Sequence, residues 1–351
     1  MSTDRRNFLR GSIGAAGLAG AALALGTAQQ AGATTPANPP GKSSNKPFAP
    51  PAGPRARVII SNDLGADPDG LFAFVHQILC TSTDVRAVVG AHAQLPKDFF
   101  DTGKYQAQDS ADIANKMLKL IGRRNVPVYA GSNDKLVDAN TPRVTEGAKA
   151  IVAEAMRTDT KLPLYLTAGG TLTDIASAYL MEPKIADKVT LIWIGGSPYP
   201  NGGGEYNLNA DVIAARVIFN NSTMPIWQIP SDVYSMCVVS DFELQDHLSR
   251  AGAIGKFLWE NQLAYYARFP INFGETYQLG DSPLVLLTAL GSPWGATNSY
   301  SSPYETIFAP TIGSNGSYAA NTTGRKIRVY KGVDLRLMYH DFFSKMRTYY
   351  C

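Results

Sequence analysis

The sequence predicts an α/β protein with an open, mainly parallel sheet and helices on both of its faces. Segments that are apolar throughout recur along the chain, as at 57–61 (RVIIS) and 188–196 (KVTLIWIGG). Amphipathic segments with the length of helices separate them, as at 146–157 (EGAKAIVAEAMR). Apolar strands that alternate with amphipathic helices are typical of a parallel sheet covered on both faces.

At the N-terminus, residues 1–33 have the pattern of a cleavable export signal. Arg5 and Arg6 precede an apolar run at 12–26, and the small residues AGA follow at 31–33. The run is shorter than the roughly 20 residues that cross a bilayer, which favours a signal over an anchor. The paired arginines are typical of the Tat route, so we expect a periplasmic or secreted protein. The alternative is a basic, disordered N-terminus.

Residues 34–55 are rich in proline and small polar residues and predict a flexible linker. The folded domain is then expected at 56–351. Residues 1–33 carry a net +2, so the formal charge of +3 falls to +1 in the mature chain. A nearly neutral chain argues against a nucleic-acid partner held through phosphates. It argues equally against a polybasic membrane anchor after signal cleavage.

The expected elements follow one another along the domain. Strands are predicted at 57–61, 85–92, 126–131, 162–170, 188–196 and 224–230, and in the first part of 325–346. Helices are predicted at 70–81, 109–122 with Ser110 or Asp112 as cap, 146–157, 171–182 and 210–221, and at the C-terminus. Residues 291–326 show little periodicity and predict long loops.

Three aspartates, Asp63, Asp67 and Asp69, crowd the turn between the first strand and the first helix. Like charges at this spacing raise each other's pKa unless something neutralises them. Helix capping by Asp67, with Pro68 at the first helical position, accounts for two of them. A hard divalent cation such as calcium accounts for all three. Ligands of parallel sheets bind at the carboxyl ends of strands, where this turn lies.

The turn segment IISNDLGADPDGLFAFV resembles the Asp-x-Asp-x-Gly-x-Asp-Asp signature of the nucleoside hydrolases. Four later segments are similar to segments of that family in the same order. They are VPVYAGSNDKLV, LTAGGTLTDIASAYLMEPKIADKV, IWIGGSPYPNGGGEYNLNADVIAARVIF, where the family has Glu-Phe-Asn, and GDSPLVLLTAL. The resemblance runs from about residue 57 to 345 and implies the family's Rossmann-like fold. It also implies a calcium-dependent hydrolase of N-glycosidic bonds in ribonucleosides or related ribosides.

The resemblance assigns roles residue by residue. Asp63 is the expected base that activates water to attack the anomeric carbon, through an oxocarbenium-like state. The expected metal ligands are Asp63, Asp69, Asp281 and a backbone carbonyl near Gly169. The expected contacts to the sugar are Asp67, Gln94, Glu205 and Asn207. The inserted Pro68 leaves the roles of Asp67 and Asp69 exchangeable.

Two departures from the family pattern leave the activation of the leaving group open. Ser61 stands where the family has the first aspartate of its signature. Gly280 precedes Asp281 where many members carry a histidine that protonates the leaving base. Among the histidines, His92 is the one candidate, because it follows a strand end. Two alternatives therefore stay open: a sugar-binding or catalytically inactive relative, and a hydrolase of a non-nucleoside glycoside.

Other side chains are candidates of a weaker kind. Aromatic residues near the matched segments could stack on a nucleobase, with packing as the alternative for each: Tyr199, Tyr206, Phe273 and Tyr277. A disulfide between Cys80 and Cys237 is left open. The expected partner is a small-molecule nucleoside or riboside, and a homo-oligomer also stays open.

Overall fold

A mainly parallel sheet forms the centre of the fold. The computed structural model describes residues 47–94, 104–123, 125–269, 272–291 and 301–350, and residues 47–351 belong to one compact unit. Its strands are β1 (Ala56–Asn62), β2 (Thr83–Gly90), β3 (Ala93–Gln94), β4 (Lys104–Tyr105), β5 (Val128–Ala130), β6 (Leu164–Gly169), β7 (Val189–Ile194), β8 (Ile226–Ile229), β9 (Val238–Ser240), β10 (Thr276–Gln278), β11 (Tyr304–Phe308), β12 (Thr311–Ile312), β13 (Tyr318–Ala319) and β14 (Lys326–Tyr330).

Within the described ranges, eight of these strands make one sheet in the order β5–β2–β1–β6–β7–β8–β14–β11. Neighbours from β5 to β14 pair in parallel, and β11 pairs antiparallel with β14 at the edge. The first strand, β1, lies in the interior of the sheet between β2 and β6. The predicted fold class is therefore confirmed.

The helices cover both faces of this sheet. They are α1 (Asp69–Leu79), α2 (Ala107–Ile121), α3 (Glu146–Ala155), α4 (Thr173–Met181), α5 (Tyr206–Ala210), α6 (Val212–Arg216), α7 (Ser231–Tyr234), α8 (Asp241–Ser249), α9 (Gly252–Arg268), α10 (Pro283–Ala289) and α11 (Leu335–Tyr350). A 3-10 helix at Pro183–Asp187 and a π-helical turn at Val217–Asn221 complete the set in the described part of the chain.

The middle of strand β1 is apolar because both faces of the sheet are covered there. Successive side chains of a strand point to opposite faces of the sheet. Ile59 is buried in one core with Ile151 of α3. Val58 is buried in the other core with Phe72 of α1 and Phe343 of α11. Because both faces are covered, the consecutive residues Val58, Ile59 and Ile60 are all apolar.

Two helices begin or break differently from the prediction. Helix α2 begins at Ala107, where the Asp109 carboxylate accepts from the Gln106 backbone N–H at 3.1 Å. Ser110 and Asp112 are therefore not its cap, and the Ser110 hydroxyl donates to the Ala91 carbonyl at 2.9 Å. The segment predicted as one helix at 210–221 is divided at Asp211, whose carboxylate caps α6 by accepting from the Ala214 N–H at 2.9 Å.

The predicted loop region 291–326 is partly wrong. Residues 301–326 contain β11, β12 and β13, and residues 292–300 lie outside the described ranges. Strand β11 forms because it extends the sheet along β14, with Tyr304 opposite Tyr330 and Phe308 opposite Lys326. This pairing is non-local and leaves no period in the sequence of the loop.

The predicted export signal lies outside the described residues, so its boundaries, like those of the linker, stay predictions. Cys80 and Cys237 are both buried as free thiols, in different apolar clusters, so they do not form a disulfide. None of the helices in the described ranges has the length and apolarity to cross a membrane.

Candidate active site

The turn that carries Asp63, Asp67 and Asp69, called the acidic turn below, lies at the carboxyl ends of the central strands. Strand β1 ends at Asn62 and α1 begins at Asp69, so Asp63 and Asp67 lie in the connection between them. The connection is closed by a hydrogen bond from the Ala66 N–H to the Asp63 carbonyl at 3.0 Å. Gly65 has a φ of +91°, which favours glycine. A β-carbon there would also crowd the Tyr105 hydroxyl.

Capping does not explain the aspartates of this turn. Helix α1 begins at Asp69, with Pro68 at the N-cap position, one residue later than the capping interpretation requires. Asp69 Oδ1 accepts from the Gly70 N–H at 2.7 Å, whereas Oδ2 accepts from the Asp281 N–H at 3.1 Å. Asp69 therefore connects the first helix to a segment more than 200 residues away.

Asp281 is joined to the same group from the other side. The Asn62 side-chain amide donates to Asp281 Oδ2 at 2.6 Å. Gly169, the last residue of β6, is paired with Asn62 in the sheet. A β-carbon at Gly169 would overlap with both the Asn62 amide and the Asp281 carboxylate. Segments from β1, β6 and the start of α10 thus meet at one point.

The electrostatics of this group are unfavourable in the absence of a cation. Burial and the charges of Asp67 and Asp281 raise the pKa of Asp63 well above its usual value. Burial and the charge of Asp281 raise the pKa of Asp69 likewise. The pKa of Asp281 rises to about 8, because burial and Asp67 outweigh the Asn62 hydrogen bond. Buried carboxylates that repel one another are typical of a cation site.

The donor set fits a hard divalent metal. Asp63, Asp69 and Asp281 offer carboxylate oxygens, the ligands that calcium and magnesium prefer. The Asn62 Oδ1 atom is buried and has no hydrogen-bond partner among the described residues. Buried polar atoms normally have a partner, so an orphaned oxygen on the residue that donates to Asp281 supports an ion at this place. Asn62 was missed by the sequence analysis, although the polar SND after an apolar strand is a readable signal.

Glu205 and Asn207 lie in the segment between β7 and α6. Glu205 Oε2 accepts from the N–H groups of Gly196 and Leu208 at 2.7 and 2.9 Å. Its Oε1 accepts from the Tyr234 hydroxyl at 2.9 Å and from the Asn207 N–H at 3.1 Å. The carboxylate therefore caps α5 and holds this segment in place. Tyr234 was not foreseen from the sequence, because only the fold brings α7 to Glu205.

Asn207 is fixed by its amide, which donates to the Ile194 carbonyl at 2.9 Å. The negative charge of Glu205 also contributes to the raised pKa values of Asp63 and Asp281, so the segment lies within electrostatic reach of the acidic turn. Gln94 lies in β3, but its side chain is outside the described part of the structure.

The remaining candidates divide into two groups. His92 is buried and its Nδ1 donates to the Ser132 carbonyl at 2.9 Å, on the β2 side of the turn. Tyr199 packs on Tyr318, with ring centroids 4.7 Å apart, and its hydroxyl donates to Gln228 at 2.7 Å. Packing within the core therefore accounts for Tyr199.

Phe273 and Tyr277, by contrast, line a cavity beside the acidic turn. The cavity has a volume of about 350 Å³, and Asp67 and Asp69 form part of its wall. Tyr265 of α9 completes the aromatic side, with its ring centroid 5.6 Å from that of Tyr277. A cavity with carboxylates on one wall and aromatic rings on another matches the size and chemistry of small-ligand sites. Tyr265 carried no sequence signal, since it lies in helix α9, which was not predicted.

Comparisons with known proteins bear on the family and the fold. A family model described as inosine-uridine preferring nucleoside hydrolase matches residues 59–306, more than half of the chain. The solved structure of a plant nucleoside hydrolase covers 84% of this chain and 99% of its own, at 17% identity and a TM-score of 0.62. A purine-preferring ribonucleoside hydrolase from Gardnerella vaginalis covers 84% and 98%, at 18% identity and a TM-score of 0.62.

A third structure, an inosine-uridine preferring nucleoside hydrolase from Bacillus anthracis, covers 84% of this chain and 99% of its own, at 18% identity and a TM-score of 0.54. Curated proteins gave no match. At these identities the structures support the shared fold, whereas the family model supports membership. The chain belongs to the inosine-uridine preferring nucleoside hydrolase family and is an N-glycosyl hydrolase.

Proposed function

We propose that this protein hydrolyses the N-glycosidic bond of ribonucleosides or related ribosides, with calcium as its metal and Asp63 as the base. One observation carries the proposal: at the carboxyl end of the sheet the Asp281 N–H donates to Asp69, and Asp63 lies within electrostatic reach of Asp281, next to a cavity with an aromatic wall. The carboxylates suit a cation and a sugar diol, and the rings suit a nucleobase.

The residues that would hold the metal are Asp63, Asp69, Asp281, the Asn62 side-chain oxygen and the backbone near Gly169. Calcium bound there would lower the pKa of water and orient hydroxyl groups of the sugar. The exposed Asp67, in the same cavity as Asp69, then offers its carboxylate to the ribose hydroxyls. This division of roles assigns the metal to Asp69 and the sugar to Asp67.

Asp63 is suited to the role of general base. Without a cation, burial and its negative neighbours raise the pKa of its carboxyl, and calcium bound beside it would lower that pKa again. A general base works best when its pKa lies near the operating pH. Asp63 would accept a proton from the attacking water as the bond between ribose and base breaks.

Glu205 and Asn207 would close the outer edge of the sugar site. The Glu205 carboxylate accepts four hydrogen bonds from its own segment and from Tyr234. Its role toward substrate is therefore first to fix the positions of Asn207 and of the Gly196 backbone. Phe273, Tyr265 and Tyr277 would stack on the base, which favours nucleosides over glycosides that lack an aromatic group.

The test is release of ribose from a panel of ribonucleosides and other ribosides, measured with calcium and with chelator. We expect release from at least one ribonucleoside, lost in chelator and restored by calcium. Sugar binding without any release would instead favour the inactive relative. Release from only non-aromatic ribosides would favour a different glycoside as substrate.

Export belongs to the same proposal, on the strength of Arg5, Arg6 and the apolar run that follows. The Tat route is read by a receptor that requires the arginine pair. Replacing both residues with lysine should leave the full-length precursor in the cytoplasm, detected by fractionation. Normal export of that variant would exclude the route.

A further inference from the structure

Tyr206 brings a hydroxyl group to the acidic turn where the resembled family has phenylalanine. It is the first residue of α5 and stands between Glu205 and Asn207 in the Glu-Tyr-Asn triplet. Its ring packs against Ala66 of the acidic turn and Ala93 of β3. The position is therefore fixed on one side by the Glu205 cap and on the other by the turn itself.

The hydroxyl of Tyr206 is buried and has no hydrogen-bond partner among the described residues. A buried hydroxyl normally has a partner, since an unsatisfied one costs free energy. Burial and the charges of Asp63 and Asp67 raise the pKa of this phenol. It is therefore a protonated donor, lying within electrostatic reach of both carboxylates without donating to either.

We infer that the Tyr206 hydroxyl donates a hydrogen bond to a hydroxyl group of the substrate's ribose. The inference rests on the proposed function, in which Asp63 faces the reacting carbon and Asp67 the diol. A sugar held between those two carboxylates supplies the acceptor that the described residues do not. Tyr206 is then a specificity-determining residue that a phenylalanine cannot replace.

The test compares Tyr206→Phe with wild type on a ribonucleoside and on its 2′-, 3′- and 5′-deoxy analogues. A neutral hydrogen bond corresponds to about a five- to tenfold change. We expect Tyr206→Phe to lower kcat/KM for the ribonucleoside by that factor. For one deoxy analogue, the variant and wild type should be equal, because the acceptor is already absent. Equal losses on the ribonucleoside and all three analogues would overturn the inference.

A second substrate and a control variant separate a contact to the sugar from a contact to the leaving base. On p-nitrophenyl riboside, whose leaving group needs no proton, the loss should persist, since the contact is to the sugar. A loss that vanishes there would place the hydroxyl on the leaving base and overturn the inference. Tyr179→Phe is the matched control, because its hydroxyl bonds the Asn221 carbonyl away from the site.

Binding and stability make the result independent of turnover. Calorimetry with ribose at saturating calcium should show weaker binding by Tyr206→Phe and none of this weakening by Tyr179→Phe. The melting temperature of Tyr206→Phe should not fall, because no hydrogen bond among the described residues is lost. If wild type binds ribose but hydrolyses no riboside, the proposed function fails while the Tyr206 contact still stands or falls on calorimetry. Unchanged ribose binding by the variant would overturn the inference.

Discussion

Gly169 shows that the acidic group depends on a small residue as much as on its aspartates. It carries no functional group, yet the Asn62 amide and the Asp281 carboxylate occupy the space that its side chain would need. The family resemblance gave Gly169 a role through its carbonyl. The structure adds a steric reason for glycine that no periodicity or motif spacing expresses.

Gly169→Ala should therefore displace Asp281 or Asn62. Overpacking typically costs about 1–3 kcal/mol, and the displaced carboxylate should also weaken calcium binding about tenfold or more. The measurement is calcium titration by calorimetry, with a thermal melt of each variant. Gly332→Ala is the control, since a β-carbon there meets only ordinary contacts, the nearest at 3.7 Å. Equal calcium affinity in both variants would contradict the arrangement described.

The sequence predicted some residues of the site and missed others. Asp63, Asp67 and Asp69 stand close together along the chain, so their crowding is visible in the sequence alone. Asn62 is adjacent to them but has no charge, and its importance lies in one hydrogen bond to Asp281. Such a contact depends on the crossing of distant segments, and the sequence contains no distance of that kind.

At the scale of elements, α1 and α11 are joined by a hydrogen bond between the buried His76 and Asp341. His76 Nε2 lies 2.8 Å from Asp341 Oδ2, and the Lys345 ammonium contacts the same carboxylate. Cys80 lies close enough to His76 and Asp341 for the three side chains to resemble a metal site. Because Lys345 already neutralises Asp341 within α11, we interpret the group as a salt bridge whose carboxylate also accepts a hydrogen bond from His76 of α1.

The burial of His76 should make the fold less stable in mild acid. Burial lowers the pKa of His76 below 6.5, more than Asp341 raises it. The unfolded chain therefore binds the proton more readily, and stability falls as pH falls through about 6.5. The pKa of Asp341 is lowered by its hydrogen bonds to His76 and Lys345, although burial opposes them. Its contribution is lost at lower pH, below the usual aspartate value.

We expect His76→Gln to lose less stability than wild type between pH 7.5 and pH 5.5. The measurement is a series of thermal melts at saturating calcium, so that the acidic turn stays bound throughout. His340→Gln provides the control, because His340 is exposed on helix α11. If all three proteins lose the same stability over this range, His76 does not titrate as described.

Elements with a clear hydrophobic pattern in their own residues were predicted well. Elements that depend on contacts with distant segments were predicted poorly. Strands β1, β2, β6 and β7 are apolar runs, and each was predicted from its own residues. Helices α7 to α9 and strand β11 were not predicted. Strand β11 is stabilised by pairing with β14 at the sheet edge, and this non-local pairing leaves no pattern in the sequence of β11.

At the scale of the whole molecule, the fold class followed from one repeated pattern, because a two-sided parallel sheet imposes it on every strand. Seven of the eight strands in the described sheet run parallel, and one edge strand does not. The site follows from the same topology. Its residues are far apart in the sequence, but the carboxyl ends of parallel strands lie at one edge.

Calcium should stabilise the whole fold. A ligand that binds only the native state at a hundredfold excess over Kd adds about 2.7 kcal/mol. Without metal, the raised pKa of Asp281 contributes stability at low pH that is lost as pH rises through about 8. The gain from calcium over chelator should therefore increase from pH 6 to pH 9. Thermal melts in both conditions measure it, and an identical midpoint at every pH would exclude the metal.

The most direct test of the account is the Asp63→Asn variant. The substitution keeps the size of the side chain and one oxygen ligand but removes the proton acceptor. General-base catalysis contributes about 10²–10⁴-fold, so ribose release from a ribonucleoside at saturating calcium should fall at least that far. Calorimetric binding of ribose should fall much less, since Asp67, Glu205 and Asn207 are unchanged. Full activity in Asp63→Asn would contradict the assignment of the base.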